Sequence, residues 1–155
     1  MFRKILVPFD GSKPSENAFE HAASIAVAAR NAEVILFYVV EEIPQPPVIL
    51  ESRFRSPKTG EETSISAIWK EIHQDLKNKA LEMLKERTKQ VKDFAIGTSV
   101  AIGAPADKII KFAKDENVDL IVIGNVGLGR FKLKALGSVS RAVSEHAHCP
   151  VMIVH

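Results

Sequence analysis

The sequence predicts a single α/β domain built on a parallel sheet with helices on both faces. Three observations carry this. Short, nearly continuous β-branched runs recur along the chain, segments of helical period separate them, and 155 residues suit one domain. Strands buried on both faces read as unbroken apolar runs, and helices between successive strands imply right-handed crossovers.

The first strand is Ile5-Leu6-Val7. A helix follows, with Ala18, Ala22, Ile25 and Ala29 at spacings of three and four and Pro14 suited to its first turn. Val34 to Val40 is the second strand. Glu41 to Ser64 then breaks the pattern with Pro44, Pro46, Pro47, Pro57 and Gly60, and is expected to be a mobile, insertion-like loop at about 41–64. The longest helix runs from Ile65 to about Val91, its apolar stripe formed by Ile65, Ile68, Trp69, Ile72, Leu76, Ala80, Met83, Leu84 and Val91. Thr98 to Ile102 is the third strand, and its alternation is the weakest signal of the five. Pro105 opens a helix over Ala106 to Lys114, Leu120 to Ile123 is the fourth strand, Ser138 to His146 a helix after Gly137, and Val151 to Val154 the last strand. No internal repeat and no domain boundary is evident, so one domain is expected over residues 1–155.

Composition excludes several classes. Apolar residues make up 46% and charged residues 26%, which is ordinary for a globular chain and unlike a disordered one. The 21 basic and 19 acidic side chains are well mixed, so no nucleic-acid partner is expected. No apolar run approaches the ~18 residues of a membrane span, and Pro8 cuts short any signal-peptide core, so neither membrane nor export is expected. The single cysteine, Cys149, forms no internal disulfide and reads as a packed residue in a cytoplasmic protein. His21, His73, His146, His148 and His155 form no ligand set of zinc spacing, and Trp69 and Phe112 read as core.

In an open parallel sheet, ligands bind beyond the carboxyl ends of the strands. The loop after the first strand reads Pro8-Phe9-Asp10-Gly11-Ser12. It suits a helix-capping turn and equally a carboxylate presented to a ligand. The loop after the fourth strand holds Gly124, Gly127 and Gly129 and leads through Arg130, Lys132 and Lys134 to Gly137-Ser138 at a helix start. Amides at a helix N-terminus attract anions, and glycines let a phosphate approach the backbone. The lysines fit either a solvated face or a phosphate-facing pair. The Walker spacing is absent, and Gly127-Leu128-Gly129 lacks the third glycine of the dinucleotide fingerprint.

Gly124, two residues, Gly127, nine residues, then Gly137-Ser138 resembles the ATP-binding signature of the universal stress protein family. Lys4 to Ser12 resembles the same family's first strand and loop, and Cys149 to Val154 its closing strand. The resemblance implies a five-stranded order 3-2-1-4-5, with a crevice between strands 1 and 4. It implies an adenine nucleotide, ATP or a relative, as ligand. Pro8 and Asp10 would line the adenosine end, with Asp10 near the ribose, and the Val39 backbone would meet the adenine edge. Gly124, Asn125, Val126 and Gly127 would border ribose and first phosphates. Leu128, Gly129 and Arg130 would follow the phosphate chain, and Gly137, Ser138, Val139 and Ser140 would hold the phosphates. Mg²⁺ could reach Asp10 through the phosphates.

Many members carry Ser-His where this chain has Asn125-Val126, so a histidine that could contact ligand is missing here. No nucleophile, base and orienting group stand out, so no catalytic residue is expected and a binding protein is the first reading; a nucleotide-free interaction module or a slow ATP-hydrolysing enzyme is the alternative. The apolar segment 151–154 would lie at a sheet edge, where the resemblance implies a homodimer and where a bare edge invites pairing.

Overall fold

The computed structural model describes residues 1–45, 54–127 and 136–155. Eleven elements follow one another: β1 (Lys4–Pro8), α1 (Lys13–Ala29), β2 (Glu33–Val40), β3 (Phe54–Arg55), β4 (Glu62–Thr63), α2 (Ile65–Thr88), β5 (Ala95–Ile102), α3 (Pro105–Asp115), β6 (Leu120–Gly124), α4 (Ser138–His146) and β7 (Val151–Val154). The main sheet is parallel, in the order β5-β2-β1-β6-β7. With the short strands β3 and β4 set aside, this is 3-2-1-4-5 as expected. The reversal lies between β1 and β6, whose paired residues are Ile5 with Leu120 and Leu6 with Ile121.

Alternation along the strands divides the interior in two. Ile5, Val7, Val34, Leu36 and Val122 point to one face and pack with Ala18, Ala22 and Ala26 of α1 and Leu84 of α2. Leu6, Ile35, Phe37, Ile121 and Ile123 point to the other, against Ile109 and Ala113 of α3 and Val143 of α4. Phe112 joins this second core, stacked on Phe37 with ring centroids 4.3 Å apart. Central strands are buried on both sides because helices cover both sides, which is why their sequences show no polar alternation.

Two elements depart from expectation. β5 begins at Ala95, three residues before the alternating stretch, since a sheet-edge strand can carry partly exposed residues such as Ile96 and Thr98. α2 ends at Thr88 rather than Val91, and of its apolar stripe only Ala80 and Leu84 are buried, whereas Ile72 is 43% exposed. Length explains the second departure. A helix of 24 residues spans ~36 Å at ~1.5 Å per residue, whereas strands of 8 residues span ~26 Å, so about two turns of α2 overhang the sheet.

The insertion packs on that overhang. β3 and β4 form a small antiparallel ribbon, with Phe54 opposite Thr63 and Arg55 opposite Glu62, inside the stretch expected as a loop. Lys58 of its turn pairs with Asp75 and with Glu71 of α2. The remaining prolines of that stretch, Pro46 and Pro47, lie outside the described residues.

Candidate nucleotide-binding site

The site is assembled by two turns at the reversal point. In the first, Gly11 takes φ +80°, a left-handed conformation that glycine reaches without a Cβ clash. The turn lets an Asp10 oxygen (Oδ1) accept the Ser12 N–H at 2.9 Å, while Ser12 Oγ accepts the Ser15 N–H at 3.3 Å and caps α1. The capping reading of this loop is realised at Ser12, and Asp10 lines the cleft.

The second turn begins at Gly124, where a Cβ would lie 2.7 Å from Pro14 Cβ and 2.9 Å from the Pro14 carbonyl oxygen. Close approach of β6 to the start of α1 thus requires glycine. At Gly127 a Cβ would lie 2.9 Å from the other Asp10 oxygen, so the two turns meet there. The Asn125 carbonyl then ties the turn to α4, accepting the Gly137 N–H at 2.7 Å and the Ser140 hydroxyl at 2.8 Å. Ser140 is buried, and its proton is directed to backbone oxygens rather than to the cleft.

The N-cap of α4 is Gly137, which offers no side-chain cap. The amides of Ser138, Val139 and Ser140 have no partner among the described residues and stand at the positive end of the helix. They open on a cleft of about 760 Å³. One wall comes from the second core side, with Val39, Pro105, Ile109, Ile123 and Val139; the other comes from the first, with Phe9, Tyr38, Ala80 and Met83. Pro8, Asp10, Gly124, Val126, Gly127, Gly137 and Ser138 line the floor and rim between them.

Of the sequence-predicted residues, Asn125 differs: its side chain turns to His155, Nδ2 to Nδ1 at 3.0 Å, and it contributes to the site through its carbonyl. Leu128, Gly129 and Arg130, with Lys132 and Lys134, lie outside the described residues. Sequence reasoning missed the α2 wall of Leu76, Lys79, Ala80 and Met83, and Tyr38. The Tyr38 phenol is held above its ordinary pKa, first by burial and then by the negative charges of Asp10 and Glu41. Period-two alternation along β2 puts Tyr38 on the opposite side from Val39, a signal that was present in the sequence.

The whole chain, residues 1–155, matches the universal stress protein family. The chain belongs to that family. Among its relatives, the universal stress protein MJ0531 of Methanocaldococcus jannaschii is 35% identical over 156 residues, covering 99% of this chain and 82% of that protein. The solved structure of MJ0577 from the same organism superimposes with a TM-score of 0.80 at 28% identity, over 99% of this chain and 96% of that one. A universal stress protein solved in complex with cAMP aligns with a TM-score of 0.60 at 29% identity, over 99% of this chain and 97% of that one. Universal stress proteins of this fold thus include one with an adenine nucleotide bound. Among the described residues, no helix is long and apolar enough to cross a membrane.

Proposed function

We propose that this universal stress protein is a cytoplasmic, ATP-binding regulator that holds its nucleotide between the turn after β1 and the turn after β6. One observation carries the reading: three amides at the start of α4, without partners among the described residues, adjoin a cleft whose walls are apolar. Such amides suit phosphate oxygens, and apolar walls suit a purine. The cleft is also electrically polar. Asp10 and Glu41 line it with Tyr38, and the α4 amides stand at the positive end of that helix.

The adenine lies along the wall of Val39, Pro105 and Ile109, with the Val39 backbone at its edge and Pro8 beneath. The ribose sits by Asp10 and Gly127. The phosphates run past Gly124 and Val126 to the amides of Ser138 and Val139. Ser140 acts by fixing the turn rather than by meeting the ligand. No group of three or more metal-ligating side chains occurs among the described residues, so a magnesium ion would be held by phosphates with Asp10.

Calorimetry of nucleotide-stripped protein with ATP tests the reading. Binding is expected, and Gly127→Val should weaken it at least about tenfold by pushing the Asp10 carboxylate into the ribose position. A wild-type protein that binds no adenine nucleotide would reject it.

The protein is further proposed to pair as a homodimer through β7. That strand is at the sheet edge, and its Met152 is 38% exposed. Unpaired strand edges carrying apolar side chains favour association. Sedimentation should show a dimer, with Met152→Lys shifting it to monomer; a wild-type monomer throughout the micromolar range defeats the proposal.

A further inference from the structure

The proposed nucleotide uses the α3 and α4 side of the cleft, and leaves the α2 side without an assigned occupant. That second lobe has an apolar floor, made by Phe9, Leu76, Ala80 and Met83. Met83 reaches under the first turn: a Cβ on Gly11 would lie 3.5 Å from its sulfur. Its polar groups are few. Tyr38 stands at the junction with Asp10, and Lys79 on α2 lies at the edge. Phosphate is disfavoured here by Asp10 and Glu41, and the floor supplies no partner for a purine's ring nitrogens. Apolar surface open to a cleft gains from being covered, and methionine adapts to differing shapes.

We propose that this lobe is a second subsite, which takes an acyl or aromatic ester group carried on the ribose of the bound nucleotide. The inference rests on the adenine-nucleotide reading above. Asp10 is the hinge between the lobes: its carboxylate lies against Gly127 on one side and bears on Tyr38 on the other. A substituent on a ribose seated at Asp10 therefore points along Tyr38 into the α2 lobe. Burial and the two carboxylates keep the Tyr38 phenol protonated, so it can donate a hydrogen bond to an ester carbonyl, as can the Lys79 ammonium. The apolar body of the group then covers Ala80 and Met83.

The test compares ATP with its 2′/3′-O-(N-methylanthraniloyl) ester, an aromatic ester on the same ribose, by calorimetry and fluorescence. Wild-type protein should bind the ester about tenfold more tightly, the gain expected from burying one aromatic group, with blue-shifted emission. Ala80→Trp fills the lobe and should cancel that preference, the ester losing about tenfold more affinity than ATP. Ala80 is buried, so Leu76→Trp, at a half-buried position on the same wall, repeats the test with less demand on the core. Equal affinity of wild type for the two nucleotides overturns the subsite. So does a loss of ATP binding in both tryptophan variants that matches the loss of the ester, which would put the base itself in this lobe. Failure of wild type to bind either nucleotide rejects the nucleotide reading and the subsite together, and is thereby distinguished from failure of the subsite alone.

Discussion

The turn that meets α4 and the strap on α2 are built in opposite ways. At the α4 end, backbone is packed against backbone: β6 presses on the start of α1 at Gly124, and the Asn125 carbonyl gathers Gly137 and Ser140. On α2, at Trp69 and His73, side chains hold a strap. The Ile43 N–H donates to His73 Nε2 at 3.1 Å, and the Ile43 carbonyl accepts from Trp69 Nε1 at 2.7 Å. His73 Nδ1 is satisfied by the Trp69 carbonyl at 2.9 Å, which fixes the neutral tautomer whose Nε2 accepts. The two rings lie 4.0 Å apart. At Gly124 the first region has no room for a methyl group; the second depends on two side chains four residues apart on one helix face. Backbone packing in one region and side-chain hydrogen bonds in the other give the two different tolerance of substitution.

The largest effect should come from the rigid end. Gly124→Ala places a methyl group within 3 Å of Pro14 atoms on the backbone as well as the side chain, so no rotamer relieves it. Overpacking of this kind costs ~1–3 kcal/mol, which urea denaturation should read as a lower midpoint at unchanged slope. A variant as stable as wild type would show that β6 and α1 can separate, and the contrast between the two ends would fall.

The strap should give a smaller, more local effect. His73→Leu removes the acceptor for Ile43 and should cost about 1 kcal/mol, the net worth of one hydrogen bond. The sharper readout is hydrogen exchange: the Ile43 amide should lose protection while Leu6 and Ile121 in the sheet keep theirs. His73→Gln retains an oxygen acceptor and should recover part of the protection. Equal loss of protection across the sheet in His73→Leu would mean that the strap is part of one cooperative core.

The same contrast explains what was legible in the sequence. The five strands and four helices follow from local period, because elements packed between two cores must be apolar at fixed intervals. The nucleotide reading of the glycine turn comes from the resemblance of Gly124, Gly127 and Gly137-Ser138 to a family signature, and at Gly124 the packing on Pro14 gives the physical reason for glycine. The α2 wall was not legible. Leu76, Ala80 and Met83 read as one stripe with Ile68 and Ile72, and only the helix's length relative to the sheet separates cleft lining from overhang. Trp69 and His73 look like core and scattered histidine until Ile43, 26 and 30 residues away, is placed between them. The ribbon at β3 and β4 escaped because each strand has two residues, too few for any period to show.

The smallest effect concerns acid, and it locates pH sensitivity away from both ends. Asp119, beyond the opposite edge of the strands from the cleft, accepts the Arg3 and Lys4 N–H groups at 2.9 Å each. These two bonds, and then the Arg3 charge, hold its carboxyl below the usual range. A carboxyl of lowered pKa binds fewer protons in the folded state than in the unfolded one, so stability rises with pH across that interval. Its contribution is present above the unfolded value of ~3.9 and is lost as pH falls through the lower folded value. Asp119→Asn keeps an oxygen acceptor but no charge to lose. Its melting temperature should therefore lie slightly below that of wild type at neutral pH, and the gap should close as pH is brought below about 3.9. The residue is partly exposed, so solvent screens the effect and the convergence of the two curves, rather than their separation, is the measurement. Curves that stay parallel down to the acid limit would mean that the bonds from Arg3 and Lys4 to Asp119 do not couple its protonation to folding.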